Sequence, residues 1–286
     1  MAGLTRLEAV LERALHAGPT PPLLNLAMRH AVFPGGARVR ARLCLAAAAA
    51  CGMDDVELAH AAAAAIELLH CASLVHDDMP CFDDAATRRG RLSVHRAFGE
   101  PLALLAGDAL IVLAFQTLAR TRPAHRERIG ELVELIGDAV GTPLGIVAGQ
   151  AWECEHHVDV AAYHRAKTAA LFAGATMAGA AAAGGPVEIW RAVGERLGEA
   201  YQVADDIGDA LADEAQLGKP VGQDVAHGRP NAVRELGVRG AIARLHALTE
   251  AAVAAIPDCA GAAALGALIR QEAHRLLPRP LPAFAA

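Results

Sequence analysis

The spacing of apolar residues predicts helices along nearly the whole chain. Leu4, Leu7, Leu11 and Leu15 form one stripe at helical spacing, which Gly18-Pro19 ends. A second helix is predicted from Pro21-Pro22 to about Val32. Alternation of period two, the mark of β-strands, is nearly absent, so we predict an all-α fold. Further helices are predicted over 37–51, 54–79, 101–121, 124–141, 159–183, 186–213, 228–236, 238–255 and 260–277.

Two segments interrupt this helical pattern. Residues 80–91 begin at Pro80 and are polar and charged, which indicates a loop. Residues 141–150 hold three glycines and a proline, which predicts a break. Connections are short and composition does not shift between the halves, so we predict a single domain over residues 1–277. Residues 278–286, which contain Pro280 and Pro282, are expected to form a mobile tail.

Composition narrows the possible classes of protein. The 286 residues are 54% apolar, 3% aromatic and 20% charged, so the chain can bury a large core. Lys plus Arg number 26 against 32 Asp plus Glu, which argues against nucleic acid as the main partner. The longest apolar stretch, Leu102 to Phe115, is broken by Asp108, and no transmembrane segment is expected. Glu8 and Glu12 argue against a signal peptide, and six cysteines without a CxxC pair favour a reducing cytoplasm.

Two acidic clusters are the first candidates for chemistry. One is His76-Asp77-Asp78-Met79-Pro80-Cys81-Phe82-Asp83-Asp84, and the other is Asp205-Asp206-Ile207-Gly208-Asp209. Asp205 and Asp209 share a helix face, and a turn after Pro80 must bring Asp83 back towards Asp77. Carboxylates without His or Cys at metal spacing favour Mg²⁺, which completes its shell with water and substrate phosphates. The clusters therefore predict a diphosphate bridged through metal ions. A solvated acidic helix end is the alternative, and the second cluster weakens it.

Basic residues near these clusters are candidates for binding phosphate. Arg88-Arg89 follow the first cluster, Lys167-Thr168 lie in mid-chain, and Lys219 lies ten residues after Asp209. Arg holds two phosphate oxygens with its planar fork, whereas Lys acts as a point charge. Each of them taken singly is typical of a surface charge, and only their proximity to both clusters favours a binding role.

These motifs resemble those of the short-chain trans-isoprenyl diphosphate synthases. Residues 69–84 with Arg88-Arg89-Gly90 are similar to the first aspartate-rich motif, and residues 201–209 to the second. Phe33-Pro34-Gly35-Gly36-Ala37-Arg38-Val39-Arg40 resembles the N-terminal substrate motif. The resemblance runs from about residue 22 to 277 in family order, and it is strongest to the bacterial geranylgeranyl diphosphate synthases of carotenoid pathways. It implies the isoprenoid synthase fold, a helical bundle around a deep central cavity, and a homodimer.

The resemblance also implies roles for individual residues. Asp77, Asp83 and Asp205 would bind Mg²⁺, roughly two to three ions, with Asp78, Asp206 and Asp209 in support. Arg88 and Lys167 would hold the allylic diphosphate, whereas Arg40, His70 and Arg89 would hold isopentenyl diphosphate. Thr168 and Gln202 would face the reacting carbon, and Lys219 would hold the departing diphosphate.

Two positions depart from the family pattern. Ala37 stands where a Lys is usual, and Gln223 replaces a frequent second Lys after the second motif. A lost charge-assisted contact of about 1.5–3 kcal/mol would raise the KM for isopentenyl diphosphate on the order of tenfold or more. We do not infer inactivity, because Arg38, Arg40 and Arg89 remain nearby in sequence.

The expected chemistry is ionisation of an allylic diphosphate (C5 to C15) followed by attack of isopentenyl diphosphate on the carbocation, inside an apolar cavity that excludes water. Ala72 and Ser73 precede Asp77 by five and four residues, where a bulky aromatic in the family stops growth at C15. Their small size predicts the C20 product. Leu68, Leu69 or Phe115 are expected to form a deeper floor.

Three alternatives stay open at this point. A farnesyl diphosphate synthase performs the same chemistry one unit shorter, and only Ala72 and Ser73 argue against it. A terpene cyclase would normally lack the second aspartate motif and the Arg-Arg-Gly. A non-catalytic subunit regulating a partner synthase is slightly favoured by Ala37 and Gln223, but it has no reason to keep two sets of repelling carboxylates.

Overall fold

The computed structural model describes residues 2–16, 18–33, 35–155, 163, 165–211 and 231–276, most of which are helical. The all-α prediction is confirmed. The helices are α1 (Ala2–Leu15), α2 (Pro22–Val32), α3 (Val39–Ala50), α4 (Val56–Asp77), α5 (Val94–Phe98), α6 (Glu100–Arg120), α7 (Ile129–Val140), α8 (Ile146–Ala151), α9 (Ala170–Ala182), α10 (Arg191–Leu211), α11 (Ala232–Ala254) and α12 (Ala262–Leu276). Single 3₁₀ turns cover Arg126–Arg128, Trp152–Cys154 and Glu188–Trp190, and a π-helical turn covers Arg165–Ala169.

Helix α4 is the centre of the fold and is buried on nearly all sides. It packs against α1, α3, α6 and α9. Its start is fixed by Asp55, whose carboxylate accepts hydrogen bonds from the backbone N–H of Leu58 (3.0 Å) and of His125 (2.9 Å). At its end the chain folds back, and the N–H of Asp83 donates to the carbonyl of Asp77 (3.0 Å). The turn expected between these two aspartates is therefore present.

Small residues allow helices to approach closely around α4. A Cβ added at Gly179 of α9 would lie 2.2 Å from the carbonyl oxygen of Cys44 in α3. One added at Gly194 of α10 would lie 2.3 Å from the Cα of Ala173 in α9. A side chain at either glycine would force the helix axes apart, so the excess of small residues sets the spacing of the bundle.

Several predicted boundaries need correction. The segment 80–91, predicted as a loop, ends in an antiparallel hairpin of β1 (Thr87–Arg88) and β2 (Arg91–Leu92). Helix α8 begins inside the break predicted over 141–150, which is confined to its first half. The helices predicted over 228–236 and 238–255 do meet at Gly237, whose backbone is non-helical (φ +68°, ψ 166°), so α11 consists of two helical segments joined at that kink, with residues 228–230 outside the described part.

In the described part of the chain, two helices, α4 and α6, are long and apolar enough to cross a membrane, judged by length and composition alone. In α4, 83% of the apolar window is buried inside the fold, as expected of a core helix. In α6 the buried share is 33%, and Leu104, Leu105 and Val112 are exposed. The broken apolar stretch noted in the sequence is therefore part of a 21-residue helix with one uncovered face.

Two sets of predictions lie outside the described residues. Lys219 and Gln223 fall within 212–230, and the predicted tail 278–286 falls within 277–286.

Candidate active site

A cavity of about 1080 Å³ opens at the ends of α4 and α10, where both acidic clusters lie. Its polar lining carries four aspartates and five cationic side chains: Asp77, Asp83, Asp205, Asp209, Arg38, Arg40, Arg88, Arg89 and Lys167. His70, Thr168 and Gln202 also line it. Ala72 and Ser73 lie on its wall with the apolar side chains of Leu69, Leu104, Ile111, Val140, Ile146 and Val147. The structure thus brings most of the predicted site residues to one cavity.

Asp77 presents a buried carboxylate oxygen at the cavity wall. Its side chain is 19% exposed, and its Oδ1 atom is buried without a hydrogen-bond partner among the described residues. Burial raises the pKa of Asp77, while the ammonium of Lys167, 3.6 Å from Oδ1, opposes the rise. An anionic oxygen in these surroundings favours the binding of a further cation.

Asp78 does not face the cavity. It is 2% exposed and accepts hydrogen bonds from the guanidinium of Arg88, with Nε at 2.9 Å. Burial raises the pKa of Asp78, and the bond from Arg88 opposes that rise. Arg88 also approaches Asp77 at 3.7 Å, which leaves its guanidinium at the cavity wall. In this structure Asp78 therefore holds Arg88 in place.

Arg40, His70 and Arg89 form a cationic corner on the α3 side of the cavity. The Arg40 guanidinium lies over the ring of Phe172 at 4.2 Å and contacts His70 Nε2 at 3.4 Å. Burial, followed by the charge of Arg40, lowers the pKa of His70 well below its usual value, so its imidazole is neutral. A Cβ at Gly36 would lie 3.1 Å from Nε of Arg89, so the glycine leaves room for that guanidinium.

Arg38 also lines the cavity, but two carboxylates engage its guanidinium, so it offers less compensation for Ala37 than its proximity in sequence indicates. It is 4% exposed and adopts a left-handed backbone conformation (φ +53°). Its guanidinium donates to Glu8 at 2.9 and 3.1 Å and to Glu67 at 2.9 Å. Burial would lower the pKa of Arg38, but these two carboxylates raise it. Arg38 therefore fixes the loop that carries Ala37.

Glu153 is a site residue that sequence reasoning missed. Its carboxylate contacts the Lys167 ammonium, accepts from the hydroxyl of Tyr163 (2.6 Å) and accepts from Gln150 Nε2 (2.8 Å). Lys167 is therefore held between Glu153 and Asp77. The available signal was Glu153 itself, three residues after Gln150, the last residue of the break predicted over 141–150.

The second acidic cluster divides into residues with different surroundings. Asp205 is exposed at the cavity and Asp209 is half-buried. Asp206 is 2% exposed and points away, accepting from Gln202 Nε2 (3.1 Å) and from the backbone N–H of Ala232 (2.7 Å). Gln202 in turn accepts from the Thr168 hydroxyl at 3.0 Å.

The donor set suits Mg²⁺ and not a preformed protein cage. Among the described residues no group of three or more His, Cys, Asp or Glu side chains is close enough to hold a metal alone. Mg²⁺ commonly binds one or two carboxylates and completes its shell with water and phosphate oxygens. The buried Oδ1 of Asp77 and the carboxylates of Asp83 and Asp205 meet that requirement.

The apolar wall bears on the choice of product. Ala72 and Ser73 line the cavity, as does Leu69. Of the other two residues expected at the floor, Leu68 belongs to the core and Phe115 packs against that core. Ile111 and Leu104 of α6, with Val140 at the end of α7, line the cavity as well. These three residues were not predicted, because sequence spacing does not show which residues of a neighbouring helix face the cavity.

Comparisons with known proteins agree with this geometry. Residues 21–252 match the Polyprenyl synthetase family. The chain is 51% identical to the geranylgeranyl diphosphate synthase of Cereibacter sphaeroides, over 99% of both chains. It is 48% identical to that of Rhodobacter capsulatus, over 97% of both. The crystal structure of a Helicobacter pylori geranyltransferase complexed with magnesium and isoprenyl diphosphate superposes with a TM-score of 0.79 at 26% identity, covering 96% of this chain and 98% of that one. The chain belongs to the polyprenyl synthetase family.

Proposed function

We propose that this protein is a geranylgeranyl diphosphate synthase, a Mg²⁺-dependent prenyltransferase that adds isopentenyl diphosphate to allylic diphosphates and releases diphosphate. One observation carries the proposal: aspartates from both acidic clusters, the cationic side chains and a set of apolar side chains line a single cavity of about 1080 Å³. The name shared by the two relatives supports the C20 product. The magnesium complex of the structural relative supports the choice of metal.

Asp77, Asp83 and Asp205 are proposed to hold the ions, which supply electrostatic stabilisation of the departing diphosphate. Lys167 and Arg88 are proposed to bind the phosphate oxygens of the allylic substrate. Both cations lie within 4 Å of the Asp77 carboxylate, so they are close enough together to contact the same diphosphate group. Glu153 and Asp78 position these two cations.

The corner of Arg40, His70 and Arg89 is proposed to bind isopentenyl diphosphate. Without a Lys at position 37 and with Arg38 bound to Glu8 and Glu67, the described part of this corner relies on the two arginines and a neutral imidazole. A raised KM for isopentenyl diphosphate is therefore still expected. Lys219 is proposed to act on the departing diphosphate.

The apolar wall favours the C20 product over the C15 alternative. Ala72 and Ser73 present only small side chains to the cavity where an aromatic would narrow it. Ile111 lines the same cavity from α6, the helix that packs along α4. A farnesyl diphosphate synthase remains the second candidate, and product analysis separates the two.

A homodimer is proposed to cover the exposed face of α6. Leu105 and Val112 are 51% and 53% exposed on α6, whose apolar window is only 33% buried inside the fold. Full burial of an exposed side chain of this size contributes about 1.5–3 kcal/mol, and these half-exposed side chains would contribute roughly half of that each against a second copy. A cytoplasmic location is proposed as well, in keeping with the free thiols of all six cysteines.

Diphosphate release by the purified chain tests the activity. With farnesyl diphosphate and isopentenyl diphosphate we expect Mg²⁺-dependent turnover that EDTA abolishes. Asp77→Asn should reduce kcat at least about 10²-fold, the scale of a lost electrostatic contact at the reacting group. Asp258→Asn, at an exposed position outside the cavity lining, is the matched control. Absence of turnover by the wild-type chain alone would favour the non-catalytic subunit, and a second chain restoring it would establish that alternative.

A further inference from the structure

A chain of hydrogen bonds runs from the cavity wall to the start of α11. The hydroxyl of Thr168 donates to Gln202 Oε1 (3.0 Å), and Gln202 Nε2 donates to Asp206 Oδ1 (3.1 Å). The backbone N–H of Ala232, the first residue of α11, donates to Asp206 Oδ2 (2.7 Å). Thr168 and Gln202 line the cavity, whereas Asp206 is buried behind them.

Asp206 determines the donor-to-acceptor direction of these hydrogen bonds. An ionised carboxylate only accepts hydrogen bonds, so Gln202 must turn its NH₂ group towards Asp206. The amide oxygen of Gln202 then faces Thr168 and takes the hydroxyl hydrogen. A hydroxyl has one hydrogen and two lone pairs. Because the hydrogen of Thr168 is donated to Gln202, only the lone pairs of its Oγ1 atom can interact with other groups.

The start of α11 keeps the carboxylate in this role. The first N–H groups of a helix have no partner inside it, and the helix dipole favours an anion there. Asn231 caps the next two N–H groups with its own side-chain oxygen, at 2.9 and 3.2 Å. Ala232 is therefore left to Asp206, and a neutral side chain at 206 would lose both the charge–dipole attraction and the fixed direction.

We propose that Asp206 is a positioning residue that sets the polarity of the Thr168 hydroxyl, so that lone pairs and not a hydrogen face the allylic carbon as it becomes cationic. This rests on the proposed prenyltransferase activity. A fixed dipole aimed at developing charge in a cavity that excludes water costs no reorganisation during the reaction. The reverse dipole would oppose the cation. The resemblance had implied a supporting role for Asp206 at the metal, and the geometry points to this different one.

Asp206→Asn tests the polarity with little change of shape. The introduced amide can keep the Ala232 bond with its oxygen only by pointing its NH₂ group at Gln202. Gln202 must then rotate its own amide, its NH₂ faces Thr168, and the hydroxyl hydrogen turns to the cavity. We expect kcat to fall about 10²–10³-fold, the size found when one preorganised dipole at a charged transition state is lost. The KM values and the Mg²⁺ midpoint should change by less than about threefold, which a metal-supporting role would not allow.

Rescue distinguishes polarity from general damage. In Asp206→Asn/Gln202→Glu a carboxylate at position 202 accepts from both the introduced amide and Thr168, so the original direction returns at the same net charge. We expect kcat at least about tenfold above that of Asp206→Asn, a recovery of part of the lost dipole. If the double variant is no faster than the single one, or if Asp206→Asn keeps kcat within about threefold of wild type, the proposal is wrong.

A variant that leaves Asp206 untouched covers the case in which Asp206→Asn does not fold. Thr168→Val removes the hydroxyl, and Thr168→Ser keeps it. We expect kcat of the Ser variant to exceed that of the Val variant at least about tenfold, with equal melting temperatures. Equal kcat values would overturn the proposal. Failure of the wild-type chain to turn over in the same assay would instead refute the underlying activity, so the two failures are distinguishable.

Discussion

Replacing Arg38 with Met should destabilise the fold far more than a surface substitution of the same kind. The side chains of Arg38 and Glu67 are 2% and 1% exposed, and Nη1 of Arg38 lies 2.9 Å from Oε1 of Glu67. Without Arg38, Glu67 keeps a buried charge that has lost its ion-pair partner. Breaking a buried pair in this way typically costs about 3–5 kcal/mol.

The effect is measurable as a shift in melting temperature without Mg²⁺ or substrate. At about 2–4 °C per kcal/mol for a chain of this size class, the expected fall is roughly 6–20 °C. Arg29→Met is the matched control, because Arg29 pairs with Glu12 at 33% and 41% exposure and such pairs contribute about 1 kcal/mol or less.

The double variant Arg38→Met/Glu67→Met tests the cause. Replacing both members of a buried pair with apolar side chains is often neutral, so the double variant should regain at least half of the lost melting temperature. Glu8 is 36% exposed and can be hydrated after the change. If Arg38→Met melts within about 2 °C of Arg29→Met, or if the double variant is no more stable than the single one, the electrostatic reasoning is refuted.

Three further predictions address the cavity. Ala72→Phe, at a buried position on the apolar wall, should shift the main product from C20 to C15; an unchanged C20 product would remove Ala72 from chain-length control. Gly149→Ala should lower the free energy of unfolding by about 1–3 kcal/mol and reduce kcat, because the added Cβ would lie 2.3 Å from the backbone nitrogen of Lys167. Gly137→Ala is the control, because the space around Gly137 is open and neither quantity should change. Equal melting temperatures of the two variants would contradict this prediction. The pKa of His70 is lowered in the folded protein. Below about pH 6.5 the imidazole is therefore protonated in the unfolded chain but not in the folded one, and the free energy of unfolding decreases as the pH is lowered. His70→Gln should therefore lose less melting temperature than wild type between about pH 7.5 and about pH 5.5, and an equal loss would count against a buried neutral imidazole.

Helical spacing and the two aspartate motifs were sufficient to predict the fold class and the meeting of the clusters. The turn between Asp77 and Asp83 followed from Pro80, because proline cannot continue the helix. The hairpin was missed because each strand has only two residues, and its turn depends on positive φ at Arg89 and Gly90, which no period-two pattern reports.

The roles within each motif could not be read from the sequence. Asp205 and Asp206 are adjacent and identical in type, yet one is exposed at the cavity and the other is buried against α11. That difference depends on where α11 begins, which is 26 residues away in the chain. Arg38 and Arg40 also differ in their surroundings. The packing of α1 and α4 places Glu8 and Glu67 around the guanidinium of Arg38, and the sequence does not show this packing.

The most direct test of the central claim is the chain length of the products formed by the wild-type protein. Purified enzyme is incubated with labelled isopentenyl diphosphate and Mg²⁺, separately with C5, C10 and C15 allylic diphosphates, and the dephosphorylated products are resolved by chromatography. We expect geranylgeranyl diphosphate as the main end product from each starter and no product in EDTA. Accumulation of the C15 diphosphate without further extension, or condensation that proceeds without a divalent ion, would contradict it.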